Sequence, residues 1–299
     1  MMEPNWDFYR SFLAVLEHGS LSAAARELGL TQPTLGRHVE ALEDVLGQQL
    51  FTRSQQGLTP NEAALALKPF ASLLAATSAA LVRAAADARG KVSGTVRISA
   101  SEVIGIEVLP PILAELQEQH PELEIELSAT DAVEDVLNRE ADVAVRMAEP
   151  TQKALIARHV GAIPLGLHAH RDYLERHGIP TTWEELVRHR LIGFDRQTAF
   201  VRAVAQRIPL MANAHFSLRA DSNLAQLAAV RAGCGIGVCQ VQLAQRSEGL
   251  VRVLGNDFEV PLHTWIVMHE DLRDSPRCRV AFDALVRGLS AHVTESTRR

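Results

Sequence analysis

The sequence predicts an α/β protein with a small, mostly helical unit at its N-terminus and a long helix after it. Three observations lead there. Residues Gly19 to Leu42, GSLSAAARELGLTQPTLGRHVEAL, read as two short helices joined by a tight turn. Asn61 to about Arg89 is an Ala/Leu-rich helical stretch. From Thr95 onward, strand-like apolar runs alternate with helical ones, the pattern of βα units over a parallel sheet. The 299 residues suffice for two or three compact domains.

In chain order, Asn5 is placed to cap a first helix whose Trp6, Phe8, Tyr9, Phe12, Leu13 and Leu16 read as core, and Gly19 ends it. Ser20 is the candidate N-cap of a second helix with Leu21, Ala24, Ala25 and Leu28 on its apolar face. Gly29 sits where a helix end favours a left-handed residue. Thr31 is placed to cap a third helix, with Pro33 in its first turn, where a missing N–H costs nothing. Leu35, Val39, Leu42 and Leu46 form its buried stripe, while Gln32, Pro33, Gly36, Arg37 and Glu40 fall on the other side. Small residues Ala23 to Ala25 let the two helices cross closely. This is helix-turn-helix geometry, which presents the start of its second helix to the DNA major groove. Gln48 to Pro60 then reads as a strand, a turn at Gln55-Gln56-Gly57 and a second strand, a wing with Arg53 at its base.

The long helix carries Leu67, Phe70, Leu74 and Leu81 at coiled-coil-like spacings, with Pro69 expected to bend it. Such a seam serves either an intramolecular core or a dimer. Gly90 to Gly94 is a linker. Beyond it, Thr95–Ser99 predicts a strand, Ser101-Glu102 a loop, Gly105–His120 a helix, Leu123–Leu127 a strand, Val133–Arg139 a helix and Ala141–Arg146 a strand. Leu155 to His170 reads as two strands interrupted near Gly161-Ala162. Leu191–Phe194, His215–Arg219, Gly235–Cys239 and Thr264–Met268 read as strands, and Thr198–Arg207, Asn223–Ala232 and Arg277–Ser290 as helices.

Composition limits the function. Apolar residues make up 47% and charged residues 22%, ordinary for a globular chain. No apolar run is long enough to span a bilayer, and no basic segment followed by an apolar one opens the chain, so neither a membrane partner nor export is expected and the protein should be cytoplasmic. Cys234, Cys239 and Cys278 have no metal-type spacing and fit a reducing compartment, with buried thiols the expectation. The net charge of −6 argues against binding nucleic acid by bulk charge. Locally, Arg10, Arg26, Arg37 and Arg53 are opposed by Glu3, Asp7, Glu17, Glu27, Glu40, Glu43 and Asp44, so DNA contact must rest on a few placed groups. No GxSxG, HExxH, CxxC or P-loop pattern occurs. No catalytic residue, cofactor or metal is therefore assigned. The competing reading is a small-molecule-binding or catalytic two-lobed α/β protein whose N-terminal helices only pack.

The run SLSAAARELGLTQPTLGRHVEALEDVLGQQLFTR resembles the N-terminal winged helix-turn-helix of LysR-type transcriptional regulators. Thr31, Gln32, Pro33, Leu35, Arg37, Leu42, Glu43, Leu46, Gly47, Leu50, Phe51 and Arg53 match that family's pattern; Gly36 stands where the family usually has Ser. The resemblance continues more weakly through LPPILAELQEQHPELEIEL, ADVAVR and LAAVRAGCGIGV. It implies a DNA-binding domain over 1–60, a dimerisation helix over 61–89 and a periplasmic-binding-protein-like effector domain over 90–299. Lobe I would take about 92–161 and 264–299, and lobe II about 162–263. It also implies a regulator whose DNA binding or promoter activity responds to a small-molecule effector. The partners expected are a double-stranded DNA operator, a second copy in a homodimer or homotetramer, and RNA polymerase if the protein is an activator.

The residues assigned to DNA are Ala23, Thr31, Gln32, Pro33, Thr34, Arg37 and Arg53. Gln32 suits adenine and Arg37 guanine, Thr31 and Thr34 suit phosphate or a thymine methyl, and Arg53 suits phosphate. The bland alternative for Arg37 is a surface pair with Glu40 or Glu43. Dimerisation is assigned to Leu67, Phe70, Leu74 and Leu81. In two-lobed α/β proteins ligands sit in the cleft, at strand C-terminal ends and helix N-termini. Those loops offer Ser101, Glu102, Thr130, Asp131, Met147, Asp195, Thr198, Asp221 and Ser222 for effector binding. Asp131 and Asp221 are expected to be helix caps, and Ser101 and Thr198 to approach each other across the cleft.

Overall fold

The computed structural model describes residues 4–54, 57–86, 92–130, 141–150, 154–196, 202 and 214–295. They fall into two compact units, the first ending at residue 85 and the second starting at residue 86.

The first unit begins with α1 (Trp6–His18), α2 (Leu21–Leu28) and α3 (Gln32–Leu46). Each start is capped as its sequence dictates. The side chains of Asn5, Ser20 and Thr31 accept from the backbone N–H groups of Asp7, Ala23 and Thr34. Each such cap is worth about 1 kcal/mol. Gly19, Gly29 and Gly47 close the three helices at φ of 67°, 65° and 68°, a region that costs a residue with a Cβ strain. Phe12, Val15, Ala24, Ala25, Leu35 and Leu42 fill the core between them. The wing is a hairpin of β1 (Phe51–Ser54) and β2 (Gly57–Pro60). The turn at residues 55–56 lies outside the described residues. Asn61 caps α4 (Glu62–Ala86) through Ala64 N–H at 2.9 Å and ties it to the wing by donating to Gln49 O at 2.7 Å. The helix continues through Pro69.

The second unit is built on a seven-stranded mixed sheet, where the alternation had predicted a parallel one. β3 (Gly94–Ala100) lies between β4 (Leu123–Ala129) and β5 (Val143–Arg146), parallel to both. Two long strands, β6 (Leu155–His170) and β11 (Val260–His269), run antiparallel to each other, and β11 also pairs antiparallel with β5. The expected break near Gly161-Ala162 is not there. β6 is one strand of 16 residues. The irregularity is a bulge: Thr264 opposes Gly161 while Trp265 opposes His159, so Val160 is the extra residue. Gly161 sits at φ 125°, and a Cβ there would lie 2.7 Å from Val293 Cγ1, on the packing helix α10 (Pro276–Glu295).

Past the bulge, β6 pairs with β9 (Gly237–Gln240) and β10 (Leu250–Val253), so the sheet passes from one half of the unit into the other. There β7 (Leu191–Phe194) and β8 (Phe216–Ala220) form a parallel pair, and Leu191 bridges to Ile236 ahead of β9. Short helices α6 (Arg171–His177), α7 (Trp183–Leu186), α8 (Asn223–Arg231) and α9 (Val241–Arg246) complete this half. In the first half, α5 (Leu109–Gln119) follows a π-helical turn over Ile104–Val108, and the helical backbone already starts at Glu102, where a loop was expected. The helices expected over 133–139 and 198–207 fall outside the described residues, apart from residue 202.

Candidate functional site

Two sites emerge, one in each unit. In the first unit, the crossing of α2 and α3 with the wing leaves an open groove lined by Ser22, Gln32, Pro33, Gly36, Arg37 and Leu58 among others. Thr31, Gln32, Pro33 and Arg37 are exposed, and Thr34 and Ala23 half-buried. Gln32 does not project independently, because its Oε1 accepts from Ser22 Oγ at 2.9 Å, which joins the two helices at their exposed ends. Thr31 and Thr34 hydroxyls lie 2.8 Å apart, so the cap and its neighbour form one polar edge. Gly36 has only Leu21 Cδ1 near its missing Cβ, at 3.8 Å, so the serine usual at this position fits without displacement.

Glu43 has a different task from pairing with Arg37. Its Oε1 accepts from Leu50 N–H at 2.6 Å and Phe51 N–H at 3.3 Å. The carboxylate thus holds the entry to the wing against α3. Leu58 N–H, on the second wing strand, donates to Gly19 O at 2.9 Å, and a Cβ on Gly57 would meet that carbonyl at 2.5 Å. Only glycine allows this approach, which fixes the wing beside the end of α1. The backbone of Arg53 lies in β1.

On α4, Ala64 and Ala71 are buried and Leu67 packs on the same N-terminal core. Other large apolar side chains of the helix are exposed: Phe70 is 66% exposed, Leu74 45%, Leu81 63% and Val82 72%. The structure thus divides the four seam residues, with Leu67 inward and the other three outward.

The second unit holds a cavity of about 240 Å³ where the two halves of its sheet meet. One wall comes from the ends of β3 and β5, with Ser101 and Met147, and from Leu262 of β11. The facing wall comes from Val238, Cys239 and Gln240 of β9, Asn223, Gln226 and Leu227 of α8, and Phe194 at the end of β7. Of the residues expected here, Ser101 and Met147 line the cavity. Glu102 and Ser222 lie beside it and meet each other, Ser222 Oγ donating to Glu102 Oε2 at 2.9 Å. Asp195 and Asp221 lie near Arg196, at 3.6 and 4.0 Å. The cap of α8 is Ser222, whose Oγ accepts from Ala225 N–H at 3.3 Å, so Asp221 is not the cap it was expected to be. The hydroxyl one residue later has the reach to N3 that the carboxylate lacks. Thr130 continues the β3–β4 pairing through its N–H to Ala100 O. Asp131 and Thr198 lie outside the described residues, and so does the expected approach of Ser101 to Thr198.

A second contact joins the halves. Arg231, ending α8, makes two hydrogen bonds to Glu107 in the π-turn, at 2.6 and 2.8 Å. The guanidinium holds the Glu107 carboxyl below its usual range. Behind Cys239, His168 Nδ1 lies 3.3 Å from Sγ and 3.0 Å from Gly166 O. Burial drives the imidazole down to about 4 and the thiol up to about 12, so both are neutral at pH 7. A thiol so raised is a poor nucleophile. Among the described residues no cluster of three metal-ligating side chains occurs, and no helix is long and apolar enough to cross a membrane.

The fold and both sites have counterparts among known proteins. A model of the bacterial regulatory helix-turn-helix protein, lysR family, matches residues 6–65, and a model of the LysR substrate binding domain matches residues 89–290. The chain belongs to the LysR family of transcriptional regulators. It is a DNA-binding regulator with an effector-binding domain, not an enzyme. It is 26% identical over 295 residues to the HTH-type transcriptional regulator CrgA of Neisseria meningitidis serogroup C, covering 96% of this chain and 98% of that one. It is 35% identical over 140 residues to the HTH-type transcriptional activator IlvY of Salmonella typhimurium, covering 46% and 47%. Among solved structures, the LysR family regulator CbnR matches with TM-score 0.67 at 22% identity over 96% of this chain and 99% of that one. CbnR complexed with its target DNA matches with TM-score 0.64 at 22% identity over 98% and 99%. At that identity the likeness is one of fold.

Sequence reasoning missed Gln226, Gln240 and the β9 wall of the cavity. Their position depends on β9 pairing with the far end of β6, a contact some 70 residues apart in sequence. A faint signal existed in the uninterrupted apolar run through Leu165 and Leu167, which reads as a strand buried on both faces.

Proposed function

We propose that this LysR-type regulator reads a dyad-symmetric operator as a homodimer, and as a homotetramer on DNA. Residues 1–60 would bind the DNA, residues 61–89 would pair two protomers, and residues 90–299 would bind the effector. In this reading Gln32 and Arg37 face base edges, and Thr31, Thr34 and Arg53 face the backbone, with Ala23 and Pro33 at close approach. The observation that carries it is the groove of the first unit. Gln32, Pro33 and Arg37 are exposed together on it, in the part of a helix-turn-helix that enters a major groove. CbnR, of the same fold, has been solved with its target DNA. Few cations serve this face, so binding depends on two units acting together on one site.

The exposed Phe70, Leu74 and Leu81 supply an apolar stripe that a second copy would cover. The cavity lined by Ser101 and Met147 would take the effector, and RNA polymerase would be a further partner if the protein activates. The test is a gel-shift assay with the region upstream of its own gene. A discrete complex that competitor DNA of unrelated sequence does not remove supports the reading. A smear that competitor removes in proportion to its mass contradicts it.

A further inference from the structure

The helix that lines the cavity is tied to the facing wall at both of its ends. α8 supplies Asn223, Gln226 and Leu227 to the cavity, and the segment opposite supplies Ser101 and Val103. At the start of α8, Ser222 Oγ accepts from Ala225 N–H and donates its own proton to Glu102 Oε2 at 2.9 Å. The Glu102 carboxylate thus lies at the positive end of the helix. In the last turn of α8, Arg231 reaches Glu107 with two charge-assisted hydrogen bonds, at 2.6 and 2.8 Å. Ser247 Oγ, just after α9, accepts from Arg231 Nε at 3.2 Å and braces the guanidinium from its own half. Between the two ties, Leu227 packs into the apolar core that also holds Ile104 and Val108.

The wall opposite α8 is held weakly by its own backbone. Ile104–Val108 is a wide turn in which Leu109 N–H returns to Ile104 O. Pro110 and Pro111 follow, and neither has an N–H to give to the carbonyls of Ile106 and Glu107. Such a turn depends more on what its side chains meet. The ion pair that meets it is partly open to solvent, with side-chain exposures of 36% for Arg231 and 22% for Glu107. At that exposure it can break and remake while the core stays folded.

We infer that Glu107–Arg231, with Glu102–Ser222 at the other end of α8, is a latch that keeps the seam between α8 and residues 101–107 shut, and that the cavity opens when the latch lets go. Effector entry and release would then pass through this seam, which rests on the reading of the cavity as the effector site. Modification of a cavity thiol needs no effector, so the latch stands or falls apart from that reading.

The three cysteines of the full chain supply the measurement. Cys239 lines the cavity and is 8% exposed, Cys278 is wholly buried in the core, and Cys234 is half-exposed. Methyl methanethiosulfonate is added at about pH 8, and each thiol is followed by peptide mass spectrometry. Burial pushes the Cys239 thiol up to about 12, so it reacts once the seam admits water and reagent. Glu107→Gln and Arg231→Gln should each speed modification of Cys239 by about fivefold or more, with Cys278 still protected and Cys234 unchanged. The charge of Arg231 eases ionisation of Cys239, so Arg231→Gln would slow the reaction if charge alone acted. Acceleration in both variants therefore reports opening. Glu102→Ala leaves the Ser222 cap in place and should also speed Cys239; an unchanged rate there overturns the second tie. An unchanged Cys239 rate in Glu107→Gln, or a slower one in Arg231→Gln, overturns the latch. Cys239 and Cys278 rising together would also overturn it, since the bridge would then be a contact of general stability.

Discussion

Glu43 offers a test of how the DNA-reading unit is held together. Its carboxylate accepts two backbone N–H groups at the entry to the wing, from Leu50 and Phe51, both buried residues. Glu43→Ala removes the acceptor and leaves Leu50 N–H, at 2.6 Å the closer of the two, buried without a partner. A hydrogen bond to a charged group contributes about 1.5–3 kcal/mol. The 3.3 Å contact adds less. The expected loss is about 2–4 kcal/mol, a large share of the stability of a unit this small. Glu43→Gln keeps an acceptor oxygen without the charge and should lose about 1 kcal/mol. Urea titration reads this through Trp6 fluorescence after Trp183 and Trp265 are replaced by Phe. With a slope of about 1–3 kcal/mol per molar urea, the Ala variant's midpoint should fall by about 1 M or more. Midpoints for Ala and Gln within 0.2 M of the parent, a spread of about 0.5 kcal/mol, would refute the assignment of Glu43 as the wing's anchor.

Two further outcomes follow from the second unit and from α4. His168 is held neutral down to about pH 4, against an unfolded value of 6.5, so between those limits the unfolded chain binds more protons. Stability of the second unit should therefore fall as pH drops from 6.5 towards 4, by about 3 kcal/mol at most, and stay flat above 7; His168→Gln should flatten the slope, and an equal slope in that variant would count against it. Leu74→Glu puts a charge on the exposed stripe of α4 and should yield monomers that bind operator poorly; an unchanged mass by light scattering would mean the stripe is not the dimer contact.

Local chemistry was legible in the sequence wherever a short stretch determined its own structure. Asn5, Ser20 and Thr31 cap, and Gly19, Gly29 and Gly47 close, because each acts on backbone groups within three or four residues. The wing was legible for the same reason. The task of Glu43 was not, since nothing in its spacing distinguishes a carboxylate reaching seven residues ahead from one pairing along its own helix. In the second unit, β3, β4, β5, β7 and α8 were readable from their apolar patterns. The short helices α6, α7 and α9 and the strand β10 were not, because four to seven residues carry too little periodicity. The β6 bulge was mistaken for a break because Gly161 marks both, and only pairing with β11 separates them. The cavity was found from one side only. Ser101 and Met147 follow the rule of strand ends, and so does Gln240 at the end of β9, but β9 reaches the cavity only through a long-range pairing with β6. The acidic residues beside it have neighbours that only the fold supplies: Glu102 is engaged with Ser222, and Asp195 and Asp221 lie by Arg196.

The central claim is that the exposed start of α3 reads DNA sequence. Fluorescence anisotropy with a duplex from the upstream region that forms the discrete gel-shift complex, and with a scrambled duplex, tests it, comparing the parent with Arg37→Ala. If Arg37 meets a base, the variant loses about 1–3 kcal/mol on the operator, roughly 5- to 150-fold in affinity, while scrambled-duplex binding changes far less and the urea midpoint stays put. Operator affinity unchanged in a variant of intact fold would contradict the account.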